Sequence, residues 1–183
     1  MSSFVAAIDF VLKNEGGYVN HANDPGGATN FGVSLRALRA LEGGNLADWD
    51  KDGDGDIDAA DMQLLTRKDA IQFYKKHFWN DHYKDINVQL VATKVFDMAV
   101  NVGQRQAGRI LQRAINWDGP VVHVDGIIGP ATVRAVNSLG PRLRKQLPAE
   151  LAAFYFLLVD QKPARGTFLL GWLRRAYHMP AQP

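Results

Sequence analysis

The chain contains no cysteine. That absence excludes a disulfide framework, thiolate zinc sites, iron–sulfur clusters and any cysteine nucleophile. Glutamate is scarce as well: of 19 acidic residues only Glu15, Glu42 and Glu150 are glutamates. A mechanism that needs a glutamate has few places to find one. The five histidines show no H-x-x-x-H or H-E-x-x-H spacing, which argues against a zinc peptidase or amidase. No glycine-rich phosphate loop or nucleotide fingerprint is present, and no nucleic-acid partner is implied. No stretch approaches the roughly 18 apolar residues of a membrane span. Residues 4–12 do not read as a secretory signal, since no Lys or Arg precedes them and Asp9 interrupts them.

What is present is an ordinary globular composition: 183 residues, 46% apolar and 22% charged. A chain of this length buries about 70% of its unfolded surface on folding, enough for a real core in one or two domains. The net charge of +2 conceals an asymmetry, because residues 48–61 hold seven Asp and one Lys, a local charge of −6, against +8 elsewhere. A basic body with one acidic loop fits an anionic target plus a cation site; it also fits a merely solvated basic surface.

Periodicity reads as nearly all helical. Ser2 or Ser3 caps a first helix with Phe4, Ile8, Val11 and Leu12 on one stripe, ended by Gly16-Gly17. Residues 17–33 are rich in Gly, Asn and Asp and read as a loop with two short strands. Ser34 caps a second helix, stopped by Gly43-Gly44, and Thr66 with Asp69 forms a capping box before another. Further helices are expected over residues 88–100 and 104–116, from Pro130, over 148–159 with Pro148 opening it, and over 168–177.

Residues 50–61 fit the twelve-residue EF-hand loop position for position. Asp50, Asp52 and Asp54 occupy positions one, three and five, Gly55 the sharp turn at six, Asp56 offers its carbonyl at seven, and Asp58 fills nine. Asp61 replaces the usual Glu at twelve, as in dockerin-type calcium loops, which the segment resembles. So many carboxylates repel one another without a cation, and hard Ca²⁺ takes six to eight oxygens. The expectation is a structural Ca²⁺ clip. Glu42-Gly43-Gly44-Asn45 breaks the helix before it, so the loop does not read as a sensor.

Glu15 lies four residues after Val11 and seven after Ile8, which predicts a carboxyl on the buried stripe at the helix C-terminus. Burial and the negative end of the helix dipole both favour the protonated form, as a general acid requires. A glutamate that merely bonds the glycine-rich loop is the structural alternative. The segment Glu15-Gly16-Gly17-Tyr18, followed by Asp24-Pro25-Gly26-Gly27-Ala28-Thr29-Asn30-Phe31-Gly32, resembles glycoside hydrolase family 108, the phage and prophage N-acetylmuramidases. The resemblance implies a mainly α, lysozyme-like fold with a small β-hairpin region near the active site. It also implies cleavage of the β-1,4 bond after N-acetylmuramic acid, with Glu15 as catalytic acid. The EF-hand-like calcium loop reads as an insertion that the family does not generally carry. The spacing is similar to phage-type lysozymes, which place an acid nine residues after the Glu and a Thr five or six beyond. Asp24 and Thr29 (or Asn30) hold those positions, so Asp24 would stabilise the oxocarbenium-like state or activate water. Asp-Pro-Gly-Gly is turn chemistry too, which leaves Asp24 a purely local role as the other reading.

The division expected is a catalytic region over 1–90, with the calcium loop at 48–61, and a peptidoglycan-binding helical region over 91–183. Asn101-Val102-Gly103, residues 111–116 and Val124-Asp125-Gly126-Ile127-Ile128-Gly129-Pro130-Ala131-Thr132 resemble the family's peptidoglycan-binding domain. Tyr18, Asn30, Asn101 and Asp125 follow as substrate-binding candidates. Tyr18, Trp79, Trp117 and Trp172 are candidate sugar platforms, although a tryptophan at helical spacing is more often core. The basic last helix, with Arg165, Arg174 and Arg175 near Phe168, Leu169, Trp172 and Tyr177, is able to touch an anionic outer membrane. It is equally a solvated helix packed on the core. Peptidoglycan glycan strands are the expected partner, reached from the bacterial cytoplasm through a separate pore or secretion system. A lytic transglycosylase using Glu15 alone, and a non-enzymatic calcium-dependent wall-binding protein, are the competing classes.

Overall fold

Helix α1 (Phe4–Asn14) buries Ala7, Ile8 and Val11, the stripe that its spacing dictates. It ends before the Gly16-Gly17 pair. The computed structural model describes residues 1–20, 27–40, 48–119 and 121–181; Asp24 and the Glu42-Gly43-Gly44-Asn45 break lie outside the described residues. The chain forms two compact units, Leu12–His77 and Met1–Val11 with Phe78–Pro183. The fold is mainly helical and lysozyme-like, with one small sheet among the described residues.

In the unit Leu12–His77, β1 (Thr29–Asn30) runs antiparallel to β2 (Val33–Ser34), pairing Thr29 with Ser34 and Asn30 with Val33. The two-residue connection, Phe31 and Gly32, has φ of +50° and +76°, the sign pattern of the I′ turn that matches strand twist. Ser34 caps α2 (Leu35–Arg39), accepting from the Ala37 N–H at 3.1 Å. Helix α3 (Ala59–Leu64) starts inside the acidic loop with Asp58 as its N-cap. Sequence periodicity had no hold on so short a helix, but Asp58 and Asp61 at capping-box spacing carried the signal. Thr66 and Asp69 exchange capping-box bonds at the start of α4 (Arg67–His77).

The unit Met1–Val11 with Phe78–Pro183 is built on α5 (Gln89–Val102), buried on all sides from Leu90 to Ala99. Around it lie α6 (Gln104–Ile115), α7 (Pro130–Leu139), α8 (Leu143–Gln161) and α9 (Gly166–Tyr177). Pro130 occupies the first turn of α7, where its missing N–H is no loss. Pro148 does not open its helix. It sits inside α8, which begins at Leu143 because Leu143, Leu147 and Leu151 form a buried i, i+4 stripe that carries the helix past it.

The Asp125-Gly126-Ile127-Ile128-Gly129-Pro130 run lies directly on α6. A Cβ on Gly108 would come closer than 3.0 Å to the carbonyl of Gly126, and one on Gly126 closer than 3.0 Å to the carbonyl of Arg105. Backbone therefore meets backbone with no side chain able to yield. Gly108→Ala should lower stability by about 1–3 kcal/mol. It should appear as a lower urea midpoint at unchanged slope; an unchanged midpoint would mean that the loop can lift off the helix freely.

Candidate active site

Glu15 follows the last residue of α1 and is half-buried. It stands at the helix end rather than on the fully buried stripe. Its carboxylate reaches the hairpin turn: a Cβ on Gly32 would lie closer than 3.0 Å to Glu15 Oε2, to Glu15 Cγ and to the Tyr74 hydroxyl oxygen. Carboxylate and phenol thus share the space above the Gly32 Cα. The hydroxyl of Tyr74, a residue buried in α4, donates to the Phe31 carbonyl at 3.0 Å. Phe31 carries a positive φ that costs a bulky residue of order 1 kcal/mol or more, and the bond from Tyr74 holds it there.

Tyr74 and Gly32 are site residues that sequence reasoning missed. Tyr74 lies in the helix that the Thr66–Asp69 box opens, where its spacing suits the buried face, and a hydroxyl on that face was the signal available. Gly32 read only as a motif letter.

Val19 and Thr29 pair through two backbone bonds of 2.8 Å, and Thr29 Oγ1 also donates to the Val19 carbonyl at 3.4 Å. This bridge closes the base of the segment that carries Asp24, which itself lies outside the described residues. Asn30 is buried, and its amide donates to the carbonyls of Met62 at 2.8 Å and Leu65 at 3.4 Å. It braces the hairpin against α3. Tyr18 is partly exposed, and its hydroxyl accepts from Gln63 at 3.2 Å.

The acidic loop has positive φ at Gly53 and Gly55 and a buried Ile57 at position eight. Asp50 accepts from the N–H groups of Gly53, Asp54 and Gly55. Its six aspartates fall into two triads, Asp50, Asp52, Asp54 and Asp56, Asp58, Asp61, each with carboxylate oxygens within 4.8 Å of one another. The all-oxygen donor set and the sharp turn at Gly55 fit Ca²⁺. Repulsion from Asp54 holds Asp56 above the ordinary aspartate range. Buried Asp61 goes the other way: burial opposes its charge, but N–H donors from Asp58, Lys51 and Asp52 outweigh it.

In the other unit, Asn101 accepts from the Tyr155 hydroxyl at 2.5 Å. Asp125 accepts from Gln112 and from the Ile127 N–H, both at 2.8 Å, and lines a cavity of about 340 Å³ with His123 and Thr132. On α9, Arg175 is ion-paired to Asp97 at 2.9 Å, whereas Arg174, Phe168 and Tyr177 are exposed.

A helical body with a carboxyl seated against a short hairpin, joined to a second helical unit, is the architecture of a lysozyme-like glycoside hydrolase. The family model described as "Glycosyl hydrolase 108" matches residues 8–103, and that described as "Predicted Peptidoglycan domain" matches residues 106–177. The chain belongs to glycoside hydrolase family 108, an enzyme family acting on peptidoglycan. Among solved structures it is similar to Brucella abortus SagA, with a TM-score of 0.72 and 30% sequence identity over 94% of this chain and 88% of that one. None of the curated proteins compared matches the chain.

Any side chain at position 32 must displace the Glu15 carboxyl. Gly32→Ala should therefore reduce peptidoglycan hydrolysis by about 10²-fold, the effect of misplacing a reacting group by an ångström. Helical circular dichroism should be retained. Wild-type turnover in the variant would show that the carboxyl does not depend on this seat.

Proposed function

We propose that the protein is an N-acetylmuramidase that hydrolyses the β-1,4 bond between N-acetylmuramic acid and N-acetylglucosamine, with Glu15 as general acid. The observation that carries this reading is the fixed seat of the Glu15 carboxyl over Gly32, within the segment matched to the family. Glu15 protonates the glycosidic oxygen. Asp24 stabilises the oxocarbenium-like state or activates water, and Thr29 holds that water. The pairing of Val19 with Thr29 at the base of the Asp24 segment supports this division of labour.

Glu15→Gln keeps the shape and removes the proton donor. Lysis of permeabilised Gram-negative cells should fall by about 10² to 10⁴-fold with the melting temperature retained. Lysis near the wild-type rate would remove Glu15 from the mechanism. Product mass tests the bond chemistry: hydrolysis adds a water, and anhydro-ended products would mean transglycosylation instead.

The acidic loop supports a second element of the reading, one structural Ca²⁺ held by Asp50, Asp52, Asp54 and Asp61, with the Asp56 carbonyl and a water on Asp58. A metal that binds only the folded chain stabilises it by RT ln(1 + [Ca²⁺]/Kd), about 2.7 kcal/mol at a hundredfold excess over Kd. For a chain of this size the melting temperature should be roughly 5–10 °C higher in millimolar Ca²⁺ than with chelator. Superimposable melting curves would leave the loop an acidic turn without a metal.

A further inference from the structure

The four tryptophans are not used alike. Trp49 packs on Phe73, Trp79 on Phe4, Tyr83 and Phe96, and Trp172 on Tyr155 and Phe168. Trp117 is 51% exposed and, among the described residues, alone of the four makes no ring contact with another aromatic. It is nonetheless held firmly. Its Nε1–H donates to Glu150 Oε1 at 2.6 Å, and Glu150 Oε2 accepts from Arg113 Nε at 3.2 Å. Glu150 is one of only three glutamates in the chain. The base beneath is closed too: Asn116 Oδ1 accepts from the N–H groups of Val121 and Val122 at 2.9 and 3.0 Å, and its amide donates to the Val122 carbonyl at 2.8 Å.

An indole with its polar edge bound and half of its surface exposed has apolar ring surface to offer. Fixing the ring in advance removes the entropy cost that a loose side chain carries into binding. The negative face of the ring quadrupole suits the C–H-rich face of a pyranose, whose hydroxyls remain at the rim. Arg113 gives its Nε–H to Glu150, and among the described residues its other N–H groups make no hydrogen bond, which suits them to a carbonyl such as that of an N-acetyl group.

We infer that Trp117, oriented by Glu150 and flanked by Arg113, is a stacking site for an N-acetyl amino sugar ring of the glycan strand. The inference rests on the peptidoglycan reading of residues 106–177 and assigns it a contact residue. Binding of full-length protein to purified sacculi is the test, with Glu15→Gln as background to prevent digestion. Trp117→Ala should weaken binding about tenfold, the size expected for one aromatic stacking contact. Trp117→Phe should recover most of it, and Glu150→Ala should lose part of it by freeing the ring; circular dichroism confirms the fold of each. Binding should survive removal of the stem peptides from the sacculi. Wild-type binding by both Trp117→Ala and Glu150→Ala overturns the inference and leaves the wall-binding reading standing. Loss of all binding with the stem peptides overturns the sugar as occupant. No binding by the background protein overturns both the site and the reading beneath it.

Discussion

Two charges inside the buried helix α5 set the terms for the larger unit. Lys94 and Asp97 are both fully buried in α5, one turn apart. The Lys94 ammonium donates to Asp97 at 3.3 Å and to the carbonyls of Arg175 and His178 at 2.6 and 3.0 Å, while Arg175 returns to Asp97 at 2.9 Å. Burial pushes the Lys94 ammonium below the usual lysine range, and Asp97 opposes that push. The carbonyls it reaches lie at the end of α9, where a helix leaves acceptors unsatisfied and the dipole is negative. One lysine thus neutralises a carboxylate and caps a helix. Removing one member of such a cluster typically costs about 3–5 kcal/mol, because the others are left charged and dry. The basic character of α9 divides on this point: Arg175 belongs to the core, and Arg174 belongs to solvent.

Close backbone approach is the second recurring device. Gly108 and Gly126 bring the 125–130 loop onto α6, and Gly32 brings the hairpin turn onto Glu15. At Gly108 and Gly126 the missing Cβ lets backbone meet backbone, and at Gly32 it leaves room for the Glu15 carboxyl and the Tyr74 hydroxyl. The buried amides act as fasteners for these approaches. Gln112 donates to Asp125 and Ile127 and accepts from the Gly126 N–H at 2.7 Å, so both ends of its amide hold the loop. Asn30 does the same for the hairpin.

Much of the fold was legible because its signals are local. Ser34, the Thr66–Asp69 box and Pro130 each mark a helix start by chemistry confined to three or four residues. The hairpin between Asn30 and Val33 was legible as a loop with short strands for the same reason. What escaped depends on distant partners. Pro148 reads as a helix opener, and only the burial of Leu143 and Leu147 explains its place inside α8. Asn30 reads as a substrate-binding candidate, but it is buried and its bonds run to residues 32 and 35 positions away. Tyr74 gains its importance from a turn 43 residues earlier. Within the candidate site, Glu15 was legible because glutamate is rare here and its motif is long; the seat that orients it was not.

The acidic loop joins this account through Asn30. Asp61 closes the loop by accepting from Lys51, Asp52 and Asp58, and it also lies in the first turn of α3. The carbonyls at the far end of α3, Met62 and Leu65, are the ones that Asn30 holds. Asn30 pairs with Val33 across the turn that contains Gly32, and Gly32 carries the Glu15 carboxyl. The loop is therefore continuous, through one short helix and one buried amide, with the scaffold of the candidate acid. Held at its start by the loop and at its far end by Asn30, this short helix braces the hairpin that faces Glu15. That gives the repulsion among six aspartates a structural context: a helix of six residues has too few internal bonds to hold its own ends, and the loop supplies the N-terminal half of what it lacks.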